Sequence, residues 1–212
     1  MSVSLCDIGG GASGGSGSFS SQQVFTSSGT FNASGLGLAE GHIIYAILVG
    51  GGQSGFAESG GLATRVGYGG EGGRVFCGYD TLGAGVTTLT VTIGAGGAPA
   101  STGNISGAAG AYGSAGPNNG GASTVTGAGV SLNSNSSPQR GVGARGFQIT
   151  SSTSRAAGHG PSNVGGFSMG GGNGNGGFSV LNGTGNGGTG VGRGSGVATS
   201  GVGSSGCVII YY

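Results

Sequence analysis

An all-β fold is what this sequence predicts: a small β-sheet framework or sandwich with glycine-rich, polyglycine-II-like packed segments and essentially no α-helix. Three observations lead there. Glycine supplies 60 of the 212 residues, against an average usage of about 7%, and each glycine inside a helix costs about 1 kcal/mol relative to alanine. Apolar residues nowhere recur with the helical period of about 3.6 residues. Where they do cluster, the runs are short and strand-like. In "VTTLTVTIGAGG", Leu89, Val91 and Ile93 face one way and Thr88, Thr90 and Thr92 the other, the alternation of a half-buried strand.

Residues 1–22 are rich in Ser and Gly, with Leu5, Cys6, Ile8 and Phe19 as the main bulky groups, and read as an attachment segment. "QVFTSSGTFNA" (Gln23 to Ala33) holds two β-prone runs around Ser28-Gly29, a pattern that suits a hairpin or a bulged strand. "HIIYAILVGGG" is apolar on both faces before it stops at Gly50-Gly51-Gly52. Such a strand must be covered on both sides. "GRVFCGYDTL" (Gly73 to Leu82) is a further strand candidate, and "CVIIYY" reads as a terminal strand docked into the same core, since an untethered end frays. The expected organisation is a glycine-rich β domain over 23–212. Within it lie a strand framework (23–98), a glycine-rich body (99–206) and a closing strand (207–212).

The glycines pose a physical question, because each one ordered in a folded chain costs about 0.5–1 kcal/mol relative to alanine. Extended chains with three residues per turn offer one route to order. They pack closely when glycine occupies the crowded positions, and their backbones then satisfy one another's N–H and C=O groups. Gly171, Gly174 and Gly177 keep that period of three. The glycines from 183 to 196 lean toward a period of two, so a flat glycine-faced strand stands as the alternative there.

Composition removes several function classes. Lysine is absent, so there is no Walker A phosphate loop and no Schiff-base lysine. Six arginines dispersed among glycines form no nucleic-acid patch and read as solvated surface charges. The five acids, Asp7, Glu40, Glu58, Glu71 and Asp80, all lie in the first 80 residues, a poor source of paired catalytic carboxylates. His42 and His159 are the only imidazoles. Cys6, Cys77 and Cys207 form no CxxC pair and fit assembly in a reducing cytosol, with Cys207 as a small core residue. Met1-Ser2-Val3-Ser4 lacks the basic start of a secretory leader, and Ile43 to Val49 is too short to span a bilayer. The expectation is a non-enzymatic protein without cofactor or metal.

Several segments come in a telling order: "FTSSGTF" (Phe25 to Phe31), "IIYAILVGGG", "GYGGEGGRVF", "TVTIGAGG" (Thr90 to Gly97), "GGAS" (Gly120 to Ser123) and "GCVIIYY". Together they resemble the glycine-rich domain at the tips of bacteriophage tail fibres, over most of residues 23–212. The departure is that the long glycine runs of that family are diluted here with Ser, Asn, Ala and Thr. The resemblance implies a separate tip protein assembled in the host cytoplasm into the virion tail fibre, either a homotrimer or a monomeric cap on a trimeric fibre. Its implied partners are other tail-fibre or virion proteins and a host surface glycan or outer-membrane protein, with no nucleic acid.

Contact loops implied by the resemblance are "QSGFAES" (Gln53 to Ser59), "GAYGSAGPNN" (Gly110 to Asn119), "NSNSSPQRG" (Asn133 to Gly141) and "SRAAGHGPSN" (Ser154 to Asn163). Phe56, Tyr112, Asn118, Asn119, Asn133, Arg140, His159 and Asn163 are the candidate receptor contacts, because aromatic and amide groups give contact area and hydrogen bonds at small entropic cost. The plainer reading of Phe56, Tyr112 and Phe167 is that they plug gaps between glycine chains. A structural virion role without receptor binding (decoration, baseplate or fibre connection) and an ice-binding bundle are the alternatives.

Overall fold

The computed structural model describes residues 19–60, 69–70, 72–103, 112–136, 155–156, 184–185, 187–188, 190–193 and 197–212. Among them the chain is all-β. The strands are β1 (Gln22–Phe25), β2 (Gly29–Phe31), β3 (Ile43–Val49), β4 (Ala57–Gly60), β5 (Val75–Thr81) and β6 (Leu89–Thr92), followed by β7 (Tyr112–Ala115), β8 (Thr124–Gly127), β9 (Val130–Asn133), β10 (Arg155–Ala156), β11 (Gly190–Arg193) and β12 (Cys207–Tyr211). Two short 3-10 turns, Ser34–Leu36 and Ser134–Ser136, are the helical content of the described residues.

The strands form three four-stranded sheets, ordered β1-β12-β3-β5, β2-β6-β8-β9 and β10-β11-β4-β7. All pairings are antiparallel except β4 with β11. The first two sheets enclose the main core. From the first sheet come Phe25, Ile44, Ala46, Leu48, Val208 and Ile210; from the second come Phe31, Leu89, Val91, Val125, Val130 and Leu132. The Thr88–Ile93 alternation is realised. Leu89 and Val91 are fully buried, Ile93 packs against the same core, and Thr90 and Thr92 are exposed.

β3 and β12 are central in their sheet and buried on both faces, as their unbroken apolar composition requires. The outward face carries Tyr45, Ile47, Val49, Val75, Cys207 and Ile209, against which Phe19, Cys77 and Tyr211 pack. Phe19 stacks on Tyr45 and on Tyr79, with ring centroids 6.2 and 6.1 Å away. The chain end is held by reciprocal bonds: the Ser21 amide donates to Tyr212 O at 3.1 Å, and the Tyr212 amide donates to Ser21 O at 3.0 Å. The docking expected of "CVIIYY" is therefore present.

One expectation is corrected. The runs flanking Ser28-Gly29 do not pair as a hairpin, nor do they form one bulged strand. β1 pairs with β12 and β2 with β6, so the chain crosses from one sheet to the other between them. The crossing puts Phe25 and Phe31 into the common core from opposite layers. The Ile93 amide donates to Ser28 Oγ at 2.9 Å and fixes the crossover.

Beyond the ends of β3 and β5 the packing changes from side chain against side chain to main chain against main chain. The Gly51 amide donates to Gly121 O (2.9 Å), Gly121 to Ala95 O (2.7 Å), Gly203 to Gly97 O (3.0 Å) and Gly206 to Gly94 O (2.9 Å). A Cβ on Gly96 would collide with the carbonyl of Gly203, and one on Gly206 with the carbonyl of Val49. Glycine is required at both for the close approach. The 171–177 segment lies outside the described residues, whereas within 183–196 the residues Gly190–Arg193 form strand β11, paired with β4 and β10, as the flat-strand alternative expects.

Candidate functional site

β3 leaves the first sheet at Val49, and β5 enters it beside that point, at Val75. The glycines on either side of this pair open a cleft of about 180 Å³. Gly50, Gly51 and Gln53 supply one wall, Gly72, Gly73 and Arg74 a second, and Asn119 to Gly121 a third, with Asn135 closing the end. The glycines let these segments close on one another, since a Cβ on Gly51, Gly73 or Gly120 would collide with the carbonyl of Ala95, Gly50 or Gly51.

Each wall is tied to the next. The Gly50 amide donates to Arg74 O at 2.8 Å. Gln53 Nε2 donates to Asn119 Oδ1 at 2.7 Å. Arg74 Nη1 donates to Asn135 O at 3.2 Å, and the Asn135 amide donates to its neighbour Asn133 Oδ1 at 2.8 Å. Behind the Asn119 wall, Ser54 and Asn118 are bonded twice: the Ser54 amide donates to Asn118 O at 2.9 Å, and the Asn118 amide donates to Ser54 Oγ at 2.8 Å. That clamp sets where Asn119 stands.

Arg74 is the charged group of the cleft, and it is half-buried. A guanidinium carries five N–H donors in a planar fork. Among the described residues the side chain makes a single hydrogen bond, to Asn135 O, and no carboxylate is bonded to it. No described residue accepts from the amide of Gly72, a buried residue on the same wall. The amides of Gly50, Gly51, Gly73 and Gly121 are bonded within the backbone, so what the arrangement offers an oxygen-rich polar group is the Arg74 cation, the side-chain amides of Asn119 and Asn135 and the Gly72 amide.

The expected contact residues are distributed unevenly. Asn119 lines the cleft, and Asn133 braces Asn135 at its end. Asn118 is exposed, but its side-chain NH2 donates to Ala98 O at 2.9 Å, so it also secures the loop. Phe56 is half-buried. Tyr112 begins β7, where its backbone is paired with Gly60. Arg140, His159 and Asn163 lie outside the described residues.

All four supposed contact loops contain strand residues, the third only at Asn133, the last residue of β9. Ala57–Gly60 forms β4 with Ala57 and Ser59 fully buried, and Tyr112–Ala115 forms β7 against it. Arg155–Ala156, in the fourth loop, is strand β10. Short side chains leave room for close strand packing without the large apolar groups that advertise a strand in sequence.

Arg74, Gln53 and Asn135 were not among the expected contacts. Gln53 and Asn135 fell inside two of the loops, but Arg74 read as a solvated charge. The signal was its position, between a glycine cluster and a buried strand, where a charge does not stay fully solvated. Among the described residues no three of His, Cys, Asp and Glu gather to hold a metal ion. No family model matches the chain, and no curated protein matches it.

Proposed function

We propose that this is a non-enzymatic bacteriophage tail-fibre tip protein that recognises a host cell-surface receptor through the Arg74 cleft and the loops beside it. The observation that carries the reading is the cleft itself: Gln53, Arg74, Asn119 and Asn135, drawn from four separated stretches of chain, held around one polar cavity by hydrogen bonds of 2.7–3.2 Å. The sandwich of the first two sheets supplies the stiffness that such a surface needs, because binding costs less when the groups are already ordered. The order of glycine, strand and aromatic segments from residue 23 to 212 adds the tail-fibre context.

Purified protein is expected to coat cells of the host strain and to block adsorption of the phage that carries it. Adsorption that stays unchanged at saturating protein overturns the reading. A virion reconstruction that puts the protein on the capsid or baseplate instead would favour a purely structural role.

A further inference from the structure

We infer that the Arg74 cleft is a subsite for the oxyanion of an acidic saccharide, a carboxylate or a phosphate carried on a single sugar unit. The inference rests on the receptor-recognition reading and names what the cleft takes. Arg74 is half-buried, and its guanidinium makes one bond, to the backbone carbonyl Asn135 O, with no carboxylate bonded to it among the described residues. A neutral sugar would leave that charge uncompensated in a partly desolvated site, which is unfavourable. An oxyanion meets the planar fork with charge-assisted bonds, the strong class of hydrogen bond.

The rest of the wall fits the remainder of the ligand. Asn119, braced by Gln53, and Asn135 present amides, which match sugar hydroxyls. The Gly72 amide supplies a donor with no acceptor among the described residues. At about 180 Å³ the cavity is below the roughly 300–1,000 Å³ of sites for drug-sized ligands, which favours one saccharide unit over a chain segment.

Titration of the full chain with sodium glucuronate, glucose 6-phosphate and glucose tests this, read by calorimetry and by amide and guanidinium NMR shifts. Binding of one or both anions, with glucose at least about tenfold weaker, is expected. Glucuronate alone identifies the carboxylate source, and glucose 6-phosphate alone the phosphate source. The shifts are expected at Gly72, Gly120, Gly121 and Arg74. Glucose binding as tightly as the anions, no binding at all, or shifts confined elsewhere each overturns the inference.

Arg74→Gln is expected to lose about tenfold or more in anion affinity. If it does not fold, Arg74→Lys keeps the charge without the fork and is expected to bind more weakly than wild type. Retained wild-type affinity in a folded variant overturns the inference. The adsorption assay separates the two readings. Protein that blocks adsorption but ignores both anions leaves recognition standing and removes the oxyanion. Protein that binds an anion without blocking adsorption does the reverse.

Discussion

Ser123 and Ser134 are bonded to each other twice: the Ser123 amide donates to Ser134 Oγ at 3.0 Å, and the Ser134 amide donates to Ser123 O at 2.9 Å. Both residues are fully buried. The Ser123 hydroxyl also donates to Val49 O at 2.6 Å and accepts from the Gly94 amide at 2.9 Å. One small side chain thus satisfies main-chain groups from two segments just beyond the end of β3. Thr102 and Ser200 do similar work, accepting from the Ala198 and Ala100 amides at 2.9 Å.

Ser123→Ala is therefore expected to destabilise the fold by about 2–3 kcal/mol, because it strips partners from two buried backbone groups at once. Ser131→Ala, on an exposed position of β9, is expected to stay within about 0.5 kcal/mol. Urea denaturation of both variants checks the contrast; equal midpoints would remove the structural role given to Ser123.

Glycine substitutions are expected to divide by local space. Gly96→Ala sets a methyl group against the Gly203 carbonyl and is expected to cost about 1–3 kcal/mol or more. Gly103 has open space around it and no positive φ. Gly103→Ala is expected to be neutral or to stabilise by up to about 1 kcal/mol through the unfolded chain. Thermal melting of the pair measures the difference.

The aromatic layer outside the first sheet is expected to depend on its buried member. Tyr45 contacts Phe19, Tyr79 and Tyr211 at ring-centroid distances of 6.2, 4.7 and 5.8 Å and is 9% exposed. Tyr45→Ala is expected to cost about 3 kcal/mol. Tyr79 is 66% exposed, and Tyr79→Ala is expected to lose about 1 kcal/mol, the value of the ring contacts alone. Similar losses from both variants would contradict this division.

Burial pushes the Cys207 thiol above its usual value of 9.0, and the hydrogen bond from Thr184 only partly opposes it. The folded chain holds this proton to higher pH than the unfolded chain does. The stabilisation is whole below about pH 9 and is lost as pH rises through the raised pKa. Tyr211, also raised by burial and secondly by Cys77, acts in the same direction above its usual 10.0. Urea midpoints are expected to fall on the alkaline side, and less so in Cys207→Ala. Alkylation of the native protein near neutral pH, mapped by mass spectrometry, is expected to spare Cys207.

The sequence by itself determined the all-β class, the two-faced burial of Ile44–Val49, the alternation of Leu89 and Val91 with Thr90 and Thr92, and the docking of Cys207–Ile210. Each is a local run of large apolar or β-branched side chains, and burial of such runs follows from their spacing alone. Tertiary structure alone decided that the Ser28-Gly29 runs part between two sheets, that Ala57–Gly60 and Tyr112–Ala115 pair as strands, and that Gln53, Arg74, Asn119 and Asn135 converge. Gly, Ala and Ser carry no hydrophobic period, so their partners are chosen by backbone hydrogen bonds and steric fit between segments far apart in the chain. A half-buried guanidinium looks like any surface arginine until the glycine walls around it are in place.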